Sequence, residues 1–480
     1  MAHRMHTVTR TAKRPRDLRY ELLRQRYLLK DDQGRVVETP REMLARVAKA
    51  VAAAESQYGA EPAEVQAITW RFYHLMRRGL FLPNSPTLMN AARPKGMLCA
   101  CFVLGMDDSL AGIFEAVRRT ALVQGAGGGT GFDLDALRPA GDLISSTGGR
   151  TCGPIGFWRV IAQASQAITQ GAHRRAANMA VMSIWHPDIL SFIGAKKGPG
   201  NFTNFNISVK IPDAFMAALQ ATPDSPHLVT NRRTGRQYAL PRSLDVGRYD
   251  LRDLIPAGQA DERCYTIGDI WRMIVANAHA TGEPGVCFID RVNRDNPVPA
   301  LGLIVALNAC GEQPLSYEEA CCLGSIDVSR FIAPDGKSVD WAALRQAVRW
   351  ALRFLDNILD ITHYPIPEIR AATQGNRKVG LGFMGFADAL IRLGLRYDSE
   401  EAIRFGANVS SFIRDAAHQT SRDLAEQRGS FPNWAGSVWD TERHQPMRNA
   451  TCTTIAPTGS ISILAGGIWP ATMEGTCRLP

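Results

Sequence analysis

The sequence lacks any uninterrupted apolar run of about 18 residues, the length that a membrane-spanning helix requires. Residues 1–27 are rich in arginine and contain no apolar core segment, which excludes both a secretory signal and a membrane anchor at this position. We therefore expect no membrane contact and a cytoplasmic location. Residues 1–17 are predicted to form a disordered basic arm that becomes helical near Leu18.

Metal-binding and nucleic-acid-binding patterns are also missing. The chain has no Cys-x-x-Cys motif and no histidines at ligand spacing, so we predict no metal site. It has no lysine-rich tail or aromatic-interleaved basic stripe, so we predict no nucleic-acid partner. Its 55 Lys and Arg against 46 Asp and Glu give a formal charge of +9, which suits anionic ligands such as nucleotides or serves solubility. Ten cysteines without a secretory signal predict reduced thiols, some of them chemically active.

Hydrophobic periodicity divides the chain into three parts. Apolar residues at helical spacing between residues 40 and 78 predict a helical domain over 18–80, after the arm of 1–17. Residues 81–480 alternate between short apolar strands and amphipathic helices, which indicates an α/β domain. The predicted helices are Gly112–Gln124, Phe157–Gln170, Ile267–Thr281, Trp341–Leu359 and Glu400–Gln427. The predicted strands are Cys101–Leu104, Asn206–Ile211, Val286–Ile289 and Cys452–Ile455, and Thr222–Arg263 reads as a surface excursion or a pair of β-hairpins.

The run Leu307–Leu315 carries an amide, a thiol and a carboxylate on alternate residues. Asn308, Cys310 and Glu312 would face one side of an extended backbone. A thiol can give up a hydrogen atom, a carboxylate can take a proton, and an amide can position a hydroxyl group, which suits radical or acid/base chemistry on a polyol. The alternative interpretation is a polar turn, because a glycine and a proline interrupt the run.

A second glycine-rich run, Gly380–Gly385, fits the glycine pattern of a dinucleotide-binding fold. A nicotinamide-dependent oxidoreductase is therefore the alternative enzyme class. It is disfavoured because no βαβ repeat surrounds the run.

Together with Leu307–Leu315, four further segments resemble the large catalytic subunit of ribonucleotide reductases, in particular the class II, adenosylcobalamin-dependent kind. The segments are Pro83–Asn90, Leu98–Leu104, Cys321–Ile326 and Thr454–Ser462. The resemblance extends from about residue 20 to residue 465. It implies a ten-stranded α/β barrel made of two half-sheets, preceded by a small helical domain. Asn308–Glu312 would form the tip of a finger loop through the barrel centre.

The resemblance also implies roles for individual residues. Cys310 would be a buried radical cysteine that abstracts the 3′-hydrogen of a ribonucleotide, while Glu312 draws a proton from the 3′-hydroxyl and Asn308 holds the developing ketyl. Cys101 and Cys321 would supply two electrons and close to a disulfide.

Two cysteines depart from the family pattern. Cys99 stands where the family usually has a hydroxyl residue, and Cys322 where it usually has Asn. They either compete for the disulfide or pack as small apolar side chains, and we favour packing.

A substrate site and two effector loops follow from the same resemblance. The implied substrate-binding residues are Ser85, Ala100, Cys101, Gly129, Asn308, Ala309, Cys310, Gly311, Glu312, Pro457, Thr458, Gly459, Ser460 and Ile461. The last five would open a helix whose free amides cradle phosphate. The implied effector residues lie in the loops 142–150 and 171–179, and are Asp142, Ser145, Thr147, Arg174, Arg175 and Asn178. Ala176 stands where the family usually has glycine, a substitution that would stiffen the loop.

The implied partners are a ribonucleotide substrate, a diphosphate in our interpretation, together with deoxynucleotide or ATP effectors, a thioredoxin- or glutaredoxin-type reductant and a second copy in a homodimer. After residue 465 the sequence departs from the family pattern. We therefore expect a barrel without its last strands and without the cysteine pair of the family's tail. The second hypothesis is consequently a catalytically inactive remnant that only binds nucleotide or a partner chain.

Overall fold

A computed structural model describes residues 18–170, 174–175, 177–198 and 200–466. The predicted basic arm of residues 1–17 and the segment after residue 466 lie outside the described residues, as do residues 171–173 and 176 of the second predicted effector loop.

The helices follow this order along the chain: α1 (Leu18–Arg26), α2 (Pro40–Ala52), α3 (Pro62–Arg77), α4 (Ser85–Asn90), α5 (Leu110–Gly125), α6 (Gly153–Ala167), α7 (Ile189–Ile193), α8 (Asp213–Ala221), α9 (Ile267–Thr281), α10 (Ile289–Arg294), α11 (Trp341–Ile361), α12 (Pro367–Asn376), α13 (Phe386–Leu393), α14 (Glu400–Arg428), α15 (Val438–Thr441) and α16 (Gly459–Ala465). Short 3₁₀ turns occupy Ala53–Tyr58, Leu134–Ala136, Leu251–Asp253, Ala257–Gln259, Pro299–Leu301 and Val328–Phe331.

The strands are β1 (Phe81–Pro83), β2 (Cys101–Leu104), β3 (Gly129–Asp133), β4 (Thr169–Gln170), β5 (Arg174–Arg175), β6 (Asn178–Ser183), β7 (Phe205–Lys210), β8 (Leu228–Thr230), β9 (Gln237–Ala239), β10 (Ile255–Pro256), β11 (Gly285–Cys287), β12 (Ala306–Leu307), β13 (Pro314–Leu315), β14 (Glu319–Asp327) and β15 (Val379–Met384).

Two local features of the sequence explain the N-terminal helices: a capping residue at the start of α2 and apolar residues at helical spacing in α2 and α3. Thr39 caps α2 in a reciprocal capping box with Glu42, which satisfies two otherwise free backbone donors. The buried residues of α2 and α3 fall on one face of each helix at helical spacing. Phe72 of α3 packs edge-on against Phe354 of α11, with 4.9 Å between ring centroids. The predicted helical region ahead of an α/β region is confirmed.

Strand β14 organises the main sheet of eight strands. Its first half pairs antiparallel with β2, its second half pairs antiparallel with β1, and its other edge pairs in parallel with β15. Beyond β2 the order continues β3, β6, β7 and β11, all in parallel pairs. All nine residues of β14 are buried, as expected for a strand that is covered on both faces.

The two faces of the sheet contact different parts of the molecule. One face packs against the helices in a large apolar core. The other face covers a smaller apolar cluster that includes Val103, Val181 and Leu323 from the sheet and Leu307 and Leu315 from the hairpin β12–β13. The hairpin therefore lies inside the curve of the sheet, so its tip is held against strands on which candidate site residues lie.

Several predicted elements need correction. Cys452–Ile455 is not a strand, because it makes one isolated bridge, Thr453 to Leu381, and runs beside β15. The strand predicted over Val286–Ile289 ends at Cys287, and Ile289 begins α10. By contrast, Thr222–Arg263 contains the three antiparallel strands β8, β9 and β10, in agreement with the predicted pair of β-hairpins.

The glycine-rich run at Gly380 is the main-sheet strand β15. A Cβ at Gly382 would lie 2.4 Å from the Thr454 carbonyl oxygen. Its glycines therefore allow the segment after residue 450 to pack closely against the strand. Among the described residues, no helix is long and apolar enough to cross a bilayer.

A buried histidine predicts a pH-dependent stability. The His227 ring contacts the Ile184 carbonyl oxygen at 2.9 Å and stacks on Trp185, and burial lowers its pKa to about 4. The depressed folded pKa means that this contribution to stability is present above pH 6.5 and is lost as the pH falls from 6.5 through 4.

Because of His227, the free energy of unfolding of the unmodified protein is expected to fall by roughly 3 kcal/mol between pH 6.5 and pH 4, since one pKa unit corresponds to about 1.4 kcal/mol. We expect His227→Gln to lack this decrease. Denaturant unfolding at pH 7, 5.5 and 4.5 measures the difference. Parallel pH profiles of the two proteins would contradict it.

Candidate active site

The tip of the hairpin β12–β13 is tied together by Asn308. Its backbone N–H donates to the Gln313 carbonyl at 3.2 Å, and its side-chain oxygen accepts from the Gln313 N–H at 3.0 Å. Its carbonyl accepts from the Gly311 N–H at 3.0 Å. Gly311 has a φ of 81°, a left-handed conformation that favours glycine. The buried Asn308 side chain thus fixes the turn that presents Cys310 and Glu312.

Neighbouring elements anchor the tip from two sides. The Asn206 side-chain amide, on β7, donates to the Ala309 carbonyl at 2.8 Å. The Thr454 hydroxyl, beyond β15, donates to the Glu312 carbonyl at 2.8 Å. The backbone on either side of Cys310 is consequently held by hydrogen bonds from distant parts of the chain, which a surface turn would not need.

Strand β3 passes so close to the hairpin that only glycine fits at one position. A Cβ at Gly131 would lie 1.8 Å from the Leu307 carbonyl oxygen. We expect Gly131→Ala to destabilise the fold by about 1–3 kcal/mol, because backbone must move to admit the methyl group. Gly125→Ala is the matched control, since nothing lies within 4 Å of its added Cβ. Denaturant unfolding compares the two, and equal stabilities would contradict this close approach.

Cys101 and Cys321 lie directly opposite each other on β2 and β14. The Asn308 side-chain amide donates to the Cys101 sulfur at 2.9 Å, and the Cys101 thiol donates to Glu312 Oε1 at 3.7 Å. Burial, with the nearby Glu312 charge, raises the pKa of Cys101 well above its usual range. Burial also raises the pKa of Cys321. Both groups are therefore protonated thiols at neutral pH.

Cys310 differs from what the resemblance implied. The thiol was expected to be buried, whereas the described structure places it exposed, at the hairpin tip. The reason is geometric, since the left-handed Gly311 breaks the extended alternation and the side chain projects into an open cavity.

A cavity of about 340 Å³ collects most of the predicted substrate residues. Its wall includes Ser85, Ala100, Cys101, Gly129, Asn308, Ala309, Cys310, Glu312, Pro457, Thr458, Gly459, Ser460 and Ile461. Gly311 belongs to the same tip but does not line the wall, and Cys321 lies fully buried beside Cys101. The structure thus brings together segments that are more than 300 residues apart in sequence.

Several wall residues were not singled out from the sequence, and three of them carry hydroxyl or amide groups that bear on the site. The Tyr27 hydroxyl contacts the Ser85 hydroxyl at 2.8 Å. Asn84 Nδ2 and Ser325 Oγ are buried and have no hydrogen-bond partner within the described part of the chain. Such atoms favour a polar ligand that completes their hydrogen bonds. Ser325 could have been found, because it follows Cys321 at an even spacing on the same strand, whereas nothing in the sequence marks Tyr27.

The first predicted effector loop, with Asp142, Ser145 and Thr147, does not line this cavity, whereas Ala177 of the second loop does. Asp142 is buried and accepts from Arg233 at 2.5 and 2.9 Å and from Asn231 at 3.1 Å. Burial opposes ionisation, but these partners hold its pKa below the usual value. Ser145 and Thr147 are exposed on the loop that follows.

The second effector loop is only partly described. Arg174 and Arg175 form β5, which pairs with β4. Asn178 is fully buried, and its side-chain oxygen accepts from Gln124 and Thr130 at 2.5 Å each. The Asn178 side-chain oxygen is therefore already bonded within the core, whereas Ser145 and Thr147 are exposed. Within the ranges that the structure describes, no three His, Cys, Asp or Glu residues are grouped as metal ligands.

Comparison with known proteins agrees with this architecture. Residues 14–96 match the family model of the ribonucleotide reductase all-alpha domain, and residues 99–472 match that of the ribonucleotide reductase barrel domain. A vitamin B12-dependent ribonucleoside-diphosphate reductase of Mycobacterium tuberculosis is 44% identical over 93% of this chain and 60% of its own length. A protein of the same description from Thermoplasma acidophilum is 39% identical, again over 93% of this chain and 62% of its own length.

A more distant relative is the ribonucleoside-diphosphate reductase subunit alpha of Chlamydia muridarum, which is 32% identical over 86% of this chain and 40% of its own length. The chain thus spans about 60% of the length of its vitamin B12-dependent relatives. The two domain matches, taken with the hairpin and the paired strand cysteines, show that the chain belongs to the ribonucleotide reductase large-subunit family.

Proposed function

We propose that this chain reduces ribonucleoside diphosphates to 2′-deoxyribonucleoside diphosphates by a thiyl-radical mechanism. The observation that carries the proposal is the convergence of Asn308, Cys310 and Glu312 with Cys101 on one cavity wall. These residues supply a hydrogen-atom donor, a base, an amide and a reducing thiol within reach of one small molecule. The names of the two vitamin B12-dependent relatives point to the same reaction on diphosphates.

The hairpin tip performs the first half of the reaction. The Cys310 thiol gives up its hydrogen atom, and the resulting sulfur radical takes the 3′-hydrogen of the ribose. Glu312 accepts the proton of the 3′-hydroxyl, which favours loss of the neighbouring 2′-hydroxyl. The Asn308 side-chain amide is oriented by the Gln313 N–H at its oxygen and by Cys101 Sγ at its nitrogen, so its second N–H can hydrogen-bond the substrate oxygen without reorganisation.

The strand cysteines perform the reducing half. Cys101 is a protonated thiol because burial raises its pKa, so it can deliver a proton as the 2′-hydroxyl leaves as water. Cys101 and Cys321 then close to a disulfide and supply two electrons and two protons, of which one proton leaves in the water and the other adds at C2′. The positions of these two cysteines directly opposite each other on antiparallel strands suit that bond. Cys310 finally returns the 3′-hydrogen to the substrate, which regenerates its sulfur radical, and Glu312 returns the proton to the 3′-oxygen.

Adenosylcobalamin, to which the relatives' dependence on vitamin B12 points, would supply the radical that removes the first hydrogen atom. The residues present fit such a source, because the Cys310 thiol is exposed on the cavity wall, where an organic radical could reach it. Cys310 and the adjoining tip residues would face the cofactor.

The remaining proposed partners are the substrate diphosphate, the effectors, the reductant and a second copy of the chain. Ser85 and the Pro457–Ile461 segment would hold the diphosphate, and the uncompensated donor Asn84 Nδ2 lies on the same wall. Deoxynucleotide or ATP effectors would bind at the loops near Ser145 and Thr147. A thioredoxin- or glutaredoxin-type reductant would reopen the disulfide, and a homodimer is the proposed assembly.

The test is anaerobic product formation by folded protein. We expect CDP or ADP, with adenosylcobalamin and dithiothreitol, to yield the deoxynucleotide, detected by chromatography after dephosphorylation. Because the small dithiol replaces a protein reductant, the absence of that protein cannot explain a failure to form product. Nucleotide binding measured by calorimetry on the same sample completes the experiment. Binding without any product would reject catalysis by this chain and favour the second hypothesis, a protein that binds nucleotide without reducing it.

A further inference from the structure

Arg26 is the one positively charged residue in the described wall of the active-site cavity. The other charged residue of that wall is Glu312, at the hairpin tip, and the remaining described wall residues are neutral. Nucleotide phosphates are negatively charged, and a guanidinium group binds phosphate through a planar fork of N–H donors. Arg26 is therefore a candidate ligand for a substrate phosphate, although it lies outside the segments that the sequence predicted to bind phosphate.

Contacts with α16 fix the position of α1, the helix that carries Arg26. The Arg19 guanidinium, near the start of α1, donates to the Leu464 carbonyl oxygen at 2.7 Å. Leu464 belongs to α16, which follows Pro457 and Thr458 of the cavity wall. The two helices are thus in contact, and the last residue of α1 lies on the same wall as the proposed phosphate segment.

A buried hydrogen bond fixes the backbone beside Arg26. Tyr27 is 1% exposed, and its hydroxyl contacts the Ser85 hydroxyl at 2.8 Å. Ser85 is the first residue of α4 and one of the proposed diphosphate ligands. Arg26 is the neighbour of Tyr27 along the chain, so the Tyr27–Ser85 contact keeps the end of α1 against this part of the wall.

The Arg26 guanidinium is available to a ligand. Arg26 is exposed, and it makes no hydrogen bond or ion pair with the residues that the structure describes. Arg24, in the same helical turn, instead pairs with Glu21 at 2.9 Å. A basic residue in the last turn of a helix interacts favourably with the helix dipole, and this structural role fits both arginines. Of the two, only Arg26 lines the cavity.

The buried donors of the wall, unlike Arg26, are neutral. Asn84 is 7% exposed and Ser325 is 1% exposed. Asn84 Oδ1 accepts from the Thr87 backbone N–H at 3.0 Å, and Nδ2 is left as a donor without a partner in the described chain. Neutral donors can hydrogen-bond a phosphate or a sugar oxygen alike. The attraction of a guanidinium for an anion is electrostatic and grows with each added negative charge, so Arg26 is the group that can sense an additional phosphate.

We propose that Arg26 is a specificity-determining residue that binds the terminal phosphate of the substrate, so that the cavity selects a nucleoside diphosphate over the corresponding monophosphate. The inference rests on the proposed function, because it takes a nucleotide as the occupant of the cavity. Selection is a difference between two affinities, and Arg26 contributes to the affinity for the diphosphate alone. Tyr27 is a positioning residue, since its contact with Ser85 keeps Arg26 at the wall.

The test measures nucleotide binding at the cavity itself and requires no turnover. Reduced protein is treated with a limited amount of iodoacetamide at increasing concentrations of CDP or CMP, and alkylation of Cys310 is followed by mass spectrometry. Shielding of this exposed thiol reports occupancy of the cavity. Alkylation of Cys152, an exposed thiol outside the wall, reports the activity of the reagent, and protection of the buried Cys264 reports the fold.

We expect Arg26→Gln to raise the CDP concentration for half-protection of Cys310 by about tenfold, the factor that one charge-assisted hydrogen bond contributes. The CMP concentration should stay within about twofold, because the lost contact is with the terminal phosphate. Arg26→Lys keeps the positive charge and should retain part of the preference for CDP. Arg24→Gln is the matched control and should behave as the unmodified chain. In turnover, Arg26→Gln should raise KM for CDP and leave kcat unchanged, because the terminal phosphate does not react.

The outcomes separate this inference from the proposed function. Equal protection by CDP in Arg26→Gln and the unmodified chain would overturn the role of Arg26 and leave the proposed reaction intact. An equal loss of protection by CDP and CMP would indicate a general disturbance of the cavity and would overturn the selection of the terminal phosphate. A folded, unmodified chain in which neither nucleotide protects Cys310 would count against the nucleotide site, and with it against both proposals.

Discussion

Cys310→Ser is expected to lower deoxynucleotide formation by at least about a thousandfold, as removal of an essential reacting group does in other enzymes. A serine O–H bond is much stronger than a cysteine S–H bond, so the hydroxyl cannot give up its hydrogen atom to a carbon radical. Serine otherwise preserves the size of the side chain at the hairpin tip. The anaerobic assay with adenosylcobalamin and dithiothreitol measures the loss.

The control for this substitution is Cys152→Ser, which removes another exposed thiol, outside the cavity wall. It is expected to retain full product formation. Substrate binding by Cys310→Ser should also stay within about twofold, because the hairpin is anchored through Asn206 and Thr454 rather than through the thiol. Retention of substantial activity in Cys310→Ser would reject the radical role of this residue.

Asp356→Ala is expected to destabilise the fold by roughly 3–5 kcal/mol, the typical cost of removing one partner from a buried ion pair. Asp356 lies in α11 and is fully buried. Its carboxylate accepts from Arg377 at 2.8 and 3.0 Å and from Arg428 at 2.9 Å, and the Arg448 guanidinium lies at 3.4 Å. Burial opposes its ionisation, but the three guanidinium groups hold its pKa well below the usual range.

The fold loses stability because the alanine carries no negative charge. Several buried or nearly buried guanidinium groups around this position are then only partly neutralised. Asp398→Ala removes the carboxylate of an exposed pair with Arg396 and serves as control. It should unfold at the same denaturant concentration as the unmodified chain, because exposed pairs contribute little. Denaturant unfolding followed by circular dichroism measures both variants. A similar midpoint for Asp356→Ala would show that α11 is not held by this cluster.

The sequence predicted helices best where apolar periodicity extended over many turns. Ile267–Thr281 has the predicted boundaries, and the predicted helix Trp341–Leu359 extends two residues further, to Ile361. The strand Cys101–Leu104 is also as predicted, because buried β-prone residues follow one another there. Local patterns sufficed in these places, since each element buries its own apolar face.

Features that depend on contacts between distant segments could not be predicted in this way. Cys452–Ile455 has the composition of a strand, but it makes only a single bridge to β15. Its position beside that strand depends on the glycines of β15, which allow the two segments to approach closely. The exposure of Cys310 depends on the cavity around the hairpin tip, which no local pattern describes. The site residues stay predictions in their chemical roles, although the structure brings most of them to one wall.

The central position of β14 has a consequence for the order of folding. Asn308 and Cys101 are 207 residues apart. Strand β14 cannot pair with β1 and β2 until the chain through Asp327 has been made, and its pairing with β15 waits until the chain through Met384 has been made. Closing loops of this length is entropically costly before the contacts form, so folding is expected to be slow and to finish late in synthesis. During that interval the unpaired edges of the earlier strands are open to intermolecular pairing. A nascent chain that ends before β14 therefore has a fully synthesised helical domain but an unassembled active site, and it would depend on chaperones to stay in solution.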